Sequence, residues 1–134
     1  MLPVTWTTIR LFLHVLAATV WVGGQLTLAG LVPGLRDLSA DAPRAVARRF
    51  NLFAWPAFAV LVFTGIWNVA ATAGHKHPGG YFVTLFLKIA VVALSGASAA
   101  LHASAKLRLV VALMGALSGL TALGALFLGI LLAG

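Results

Sequence analysis

Four apolar runs, over about residues 7–35, 51–71, 81–105 and 109–133, account for most of this chain. Three or more of them reach the roughly 20 residues that a helix needs to cross the hydrocarbon of a bilayer. A water-soluble fold would have little polar surface to present. Only 8% of the 134 residues are charged and 62% are hydrophobic, whereas about a quarter of the residues in ordinary soluble domains are charged. The sequence therefore predicts an all-α integral membrane protein. Nothing is left over for a soluble domain, so residues 1–134 are expected to form one four-helix bundle with up-down-up-down topology.

The connections set the expected boundaries and orientation. Pro33 and Gly34 punctuate the end of the first run. The segment 36–49 holds both acidic residues, Asp37 and Asp41, and the stretch from Ser39 to Pro43 is a candidate start for a short surface helix. Pro56 is a candidate kink. The first run lacks a basic stretch ahead of its apolar core and is too long for a signal peptide, so it is expected to persist as the first helix. An even number of crossings puts both termini on one side. The first and third connections carry Arg36, Arg44, Arg48, Arg49, Lys106 and Arg108, while the other side has only Arg10 and Lys76. Basic loops favour the cytoplasm. The expectation is a bacterial inner (plasma) membrane protein with both termini, and the loop containing His75 and His77, outside the cytoplasm.

The net charge of +7 does not point to nucleic acid. The basic residues flank the apolar runs rather than lining one amphipathic face, which suits anionic headgroups. Cysteine is absent, so disulfides, iron–sulfur clusters and thiolate metal sites are excluded. No GxSxG, Walker loop, HExxH or carboxylate pair is present.

Chemistry is concentrated in polar stripes. Tyr81, Thr84, Lys88, Ser95, His102 and Lys106 fall on one side of the third helix at 100° per residue, and Thr7, Arg10, His14, Trp21 and Gln25 do the same on the first. Asn68, with Thr64 and Thr72, adds a third strip on the second. An intramembrane cation is costly and ordinarily faces a partner, a cavity or a ligand. Two readings of Lys88 stay open: its side chain snorkels to the headgroups, or it is held inside the bundle by His14, Gln25 or a bound anion. His14 is either a buried imidazole bonded to a neighbouring carbonyl or hydroxyl, or a metal ligand. His102, about 21 Å along the axis from Lys88, is expected near the cytoplasmic end. His75 and His77 form an H-x-H pair that is either a solvated loop or a copper or zinc site. Trp21 shares the His14 face and either packs a cofactor or fills the bundle. In the fourth helix, Gly115 and Gly119 form a GxxxG pair suited to close helix packing or to an oligomer contact.

The segments HVLAATVWVGG at 14–24, ARRFN at 47–51, FTGIWN at 63–68 and YFVTLFLK at 81–88 resemble the copper resistance protein D (CopD) family of bacterial membrane proteins. That resemblance implies a four-helix unit involved in copper uptake or handling, with His14 and Lys88 at the family's polar intramembrane positions. On this reading His14, His75 and His77 are candidate copper ligands, and Lys88 and Asn68 shape the polar interior. The chain departs from a soft Cu(I) relay in having only Met1 and Met114. The architecture is more distantly similar to HemJ-type four-helix membrane proteins, with a histidine on the first helix and a lysine on the third. That likeness implies b-type haem near His14 and Lys88, and, if the chain is an enzyme at all, a haem-dependent oxidoreductase. A third expectation is a non-catalytic subunit of a membrane complex, or a homo-oligomer, joined through the fourth helix.

Overall fold

The computed structural model describes residues 3–134. Four helices follow one another: α1 (Trp6–Leu38), α2 (Ala42–Thr72), α3 (Tyr81–Ser104) and α4 (Arg108–Ala133). There is no strand among the described residues, and all four helices are long and apolar enough to cross a membrane. The chain is a multi-pass, all-α membrane protein.

The distribution of side chains is inverted relative to a soluble domain. Large apolar residues such as Phe12, Leu52, Phe63, Phe86, Leu113 and Phe127 are exposed, while Arg10, Thr64, Ser95, Ser98 and Ser118 are buried. Beyond Trp21 and Val22, the buried apolar residues are alanines: Ala17, Ala54 and Ala122. Lipid tails solvate leucine as well as another helix does, so small and polar residues occupy the helix contacts.

Two helices run longer than the hydropathy pattern suggests. Thr5 caps α1, accepting from the Thr8 N–H at 3.2 Å while the Thr8 hydroxyl accepts from the Thr5 N–H at 3.3 Å. The helix continues through Pro33 to Leu38, past the expected stop at Pro33-Gly34. Proline removes one donor without ending a membrane helix where neighbours can satisfy the carbonyl. Similarly, α2 starts at Ala42 rather than near Asn51, so the expected surface helix and the second span form one 31-residue helix. Ser39 Oγ accepts from the Ala42 N–H at 3.1 Å, Pro43 lies in the first turn where its missing N–H costs nothing, and alanine and arginine are strong helix formers. The helix also passes through Pro56 without a break.

Within α1, residues Thr19–Gly23 form a π-helical turn between the α-helical segments Trp6–Ala18 and Gly24–Leu38. The wider turn lets two consecutive residues, Trp21 and Val22, both point inward. Such turns are single-site insertions in an otherwise α-helical ladder, and the apolar period of α1 carries no mark of it.

The contacts divide the chain into two compact units, Met1–His75 and Lys76–Gly134. The first is the α1/α2 hairpin. Its helices are antiparallel, with His14 against Thr64, Trp21 against Phe58 and Gly24 against Phe50. A Cβ on Gly24 would lie 2.3 Å from the Phe50 ring, so only glycine admits this approach.

The second unit is the α3/α4 hairpin, closed by the short turn 105–107. Gly80, at φ +87°, adopts the left-handed conformation that turns the chain into α3. Lys88, Ser95 and His102 of the polar stripe of α3 face α4. Ser95 Oγ donates to the Ser118 carbonyl and Ser118 Oγ donates to the Ser95 carbonyl, each at 3.1 Å, in a buried reciprocal clasp. Nearer the turn, His102 Nδ1 donates to the Val111 carbonyl at 2.6 Å, and the ring crosses α4 so closely that a Cβ on Gly115 would lie 2.9 Å from Nδ1. Toward the other end, Lys88 reaches α4 at Gly129, where a Cβ would lie 3.1 Å from Nζ. Gly119, the second glycine of the GxxxG pair, would meet nothing within 4 Å.

Candidate functional site

The polar strips of α1 and α2 meet inside the first hairpin. Four residues are about 6 Å of helix, so the register that sets His14 opposite Thr64 also sets Arg10 at the level of Asn68, one turn nearer the start of α1. The four side chains form a polar seam at the end of the hairpin where α1 begins and α2 finishes.

Hydrogen bonding defines the state of His14. Its Nδ1 lies 2.8 Å from Thr64 Oγ1. Thr64 is fully buried, and its hydroxyl donates its single proton back to the Val60 carbonyl at 2.7 Å, with the Leu61 carbonyl at 3.2 Å. The hydroxyl therefore accepts from His14 Nδ1, which fixes the orientation of the ring. Gly65 lets the ring lie against α2: a Cβ there would stand 3.6 Å from His14 Cε1. Holding one imidazole nitrogen by hydrogen bond is how proteins orient the other toward a metal.

Arg10 is an unusual residue at this depth. It is only 9% exposed, and its Nε makes no hydrogen bond. Both carboxylates of the chain, Asp37 and Asp41, lie at or beyond the opposite end of α1. Asn68, at the same level, is half-buried with an unsatisfied Oδ1. Thr72, one turn further, bonds back to the Asn68 carbonyl at 3.1 Å.

The other sequence-predicted residues fall elsewhere. Trp21 lies about 10 Å along α1 from His14, in an aromatic cluster with Trp55 (ring centroids 5.5 Å apart) and Phe58 (4.4 Å). It fills the α1/α2 contact at the π turn. Lys88 belongs to the second unit and packs over Gly129. His75 is exposed at the end of the first unit, its N–H bonded to the Thr72 carbonyl at 3.0 Å. His77 stacks flat on Tyr81 in the second unit, with centroids 3.8 Å apart and planes 9° from parallel. Among the described residues, no three His, Cys, Asp or Glu side chains are grouped to hold a metal ion.

Two structural partners escaped the sequence reading. No partner role was assigned to Ser118, or to Phe50 within ARRFN. Thr64 was visible as part of the Asn68 strip, and its i→i+4 spacing to Asn68 was the available signal for the seam.

No family model matches this chain, and no solved structure matches it. An uncharacterized protein of Aquifex aeolicus is 37% identical to it over 90 residues, which cover 59% of this chain and 63% of that protein. The matched stretch thus spans less than two thirds of the relative's length.

Proposed function

We propose that this protein binds a b-type haem through His14 and serves as a membrane haem protein or oxidoreductase subunit. The observation that carries the reading is the imidazole of His14 held through Nδ1 by the buried Thr64 hydroxyl. A macrocycle brings four nitrogen donors of its own and asks the protein for one or two axial ligands. A bare copper ion needs several protein ligands, and no three-residue group is present among the described residues.

Charge points the same way. The Arg10 guanidinium is one turn from His14, and unit charges about 6–8 Å apart interact by on the order of 2–3 kcal/mol at an effective dielectric of about 20. That repulsion opposes a bare cation on His14 and favours a ligand that carries its own negative charge. Bound haem would supply one-electron chemistry. The chain's part is to orient one imidazole through Thr64 and to present Arg10 toward anionic groups.

Copper handling is the second reading. Its support is that three segments of the CopD resemblance pack on one another in the first hairpin: His14 and Gly24 from HVLAATVWVGG, Phe50 from ARRFN, and Thr64 and Gly65 from FTGIWN. In that case His14, His75 and His77 are the ligands to test. The distribution of basic loop residues supports a bacterial plasma-membrane location with both termini outside the cytoplasm. The open face at Gly119 is where a second copy or a complex partner would approach α4.

The test is the absorption spectrum and metal content of the untagged protein in mild detergent, for wild type and His14→Ala. A Soret band with stoichiometric iron that His14→Ala abolishes is the expected result. Copper without pigment, lost in His14→Ala or in His75→Ala/His77→Ala, would replace the haem reading with the copper one. Neither metal, after haem has also been offered to the protein in nanodiscs, would leave a structural subunit.

A further inference from the structure

The end of the first hairpin where α1 finishes and α2 begins carries two recesses with no part in the His14 seam. One is an apolar groove of about 240 Å³ between α1 and α2, lined by Gly24, Thr27, Leu28, Leu31, Val46 and Phe50. It runs about 10 Å along α1 from Leu31 to Gly24, and the Phe50 ring meets Gly24 at its inner end. The other is an open recess of about 700 Å³ on α2, lined by Ala45, Val46, Arg48, Arg49 and Leu52. Val46 borders both, so the two are continuous. Arg48 and Arg49 are exposed, and no carboxylate among the described residues lines either recess. Asp41 precedes Arg48 by seven residues, about 10 Å of helix. Two arginines beside an apolar groove suit a ligand that is anionic at one end and apolar along the rest.

We propose that this end of the hairpin binds one anionic phospholipid, with its phosphate on Arg48 and Arg49 and one acyl chain in the α1/α2 groove. The position suits it. Arg36, Arg44, Arg48 and Arg49 concentrate here, as basic residues do where a spanning helix meets the headgroups. From that level the apolar surface leads inward on both sides of Arg49. The groove runs toward Gly24, and Leu52, one turn beyond Arg48 and exposed, offers a wall for the second chain. A guanidinium matches phosphate oxygens with parallel N–H donors, whereas a zwitterionic headgroup brings its own cation to the same arginines. A second copy of the chain is a poor occupant. Each copy carries a net charge of +7, and its two carboxylates, Asp37 and Asp41, lie among the same arginines. Neither His14 nor a pigment is needed for such binding.

The experiment mixes the full chain in mild detergent with equal amounts of dioleoylphosphatidylglycerol and dioleoylphosphatidylcholine and counts the retained lipids by native mass spectrometry. Wild type is expected to hold one phosphatidylglycerol with about 10–30-fold preference over phosphatidylcholine. Arg48→Gln/Arg49→Gln is expected to abolish the preference, whereas Arg36→Gln/Arg108→Gln, which removes the same charge, keeps it. An unchanged helical circular-dichroism spectrum shows that each variant has folded. Val46→Phe, which fills the junction of the two recesses, is expected to lower retention of both lipids, and unchanged retention would overturn the groove as the place of the acyl chain. If Val46→Phe does not fold, the arginine variants still decide. Equal retention of the two lipids by wild type overturns the site. Equal loss of preference in both arginine variants overturns it too, since only diffuse charge would then be at work. Displacement of the lipid by an equal concentration of inorganic phosphate or glycerol phosphate would assign the arginines to a free phosphate instead. Dimers in place of bound lipid would assign the groove to a second copy.

Discussion

The two glycines of the GxxxG pair are predicted to behave differently, and the reason lies in one hydrogen bond. Gly115→Ala would place a Cβ 2.9 Å from His102 Nδ1 and 3.0 Å from Cε1, well inside the ~3.5–4.0 Å optimum for heavy-atom contacts. If the ring stays, the overlap costs about 1–3 kcal/mol. If it swings out to the exposed side, the 2.6 Å bond to the Val111 carbonyl is lost, worth about 0.6–1.7 kcal/mol between membrane helices. Gly119→Ala meets nothing within 4 Å and gains the same helix propensity, so it calibrates that term. The cheaper response sets the cost, so the α3/α4 hairpin of Gly115→Ala should be less stable than that of Gly119→Ala by about 0.6–1.7 kcal/mol. In a His102→Ala background the difference should vanish. The chain has no cysteine, so a dye pair can be placed on α3 and α4 and their separation followed during detergent unfolding. A difference that persists without His102, or none with it, would refute the steric account.

Three further outcomes follow from the same geometry. Ser95→Ala and Ser118→Ala should each weaken the second hairpin by about 0.5–1 kcal/mol, and the double variant should cost clearly less than twice that if the two bonds support each other, as a double-mutant cycle would show. Gly24→Ala should destabilise the first hairpin by about 1–3 kcal/mol because its Cβ would enter the Phe50 ring, and Phe50→Ala should abolish that penalty in the same unfolding assay. Thr64→Val keeps the shape but removes the acceptor for His14 Nδ1; haem affinity, read by Soret titration, should fall by about 10–100-fold, and a Val variant that binds as wild type would show that Thr64 does not orient the ligand.

Several parts of this fold were legible residue by residue. His14, Thr64 and Asn68 were visible as polar residues at helical spacing in apolar surroundings, where each must find a partner. The ends of α1 and α2 were less legible. Pro33-Gly34 reads as a stop, and 36–49 reads as a polar connection, yet helix runs through most of both, because polarity marks where a helix leaves the bilayer and not where it unwinds. The π turn at Thr19–Gly23 was invisible, since inserting one residue in a turn changes which faces point inward without changing composition.

The sequence by itself determined what is solvated by lipid: transfer free energy is a property of each side chain, and summing it along the chain yields four spans. The tertiary structure decided what each polar residue is for. The stripe of Lys88, Ser95 and His102 looked like the wall of a site and proves to face α4, with Ser118, Val111 and Gly129 across from it. The strip of Arg10 and His14, no more polar in sequence, meets Thr64 directly and keeps an unsatisfied Nε on a buried guanidinium. Both stripes fit one periodicity. Which of them closes on a neighbouring helix and which retains unmet hydrogen-bonding capacity depends on how two helices are rotated against each other, a pairwise property that no one-dimensional pattern contains.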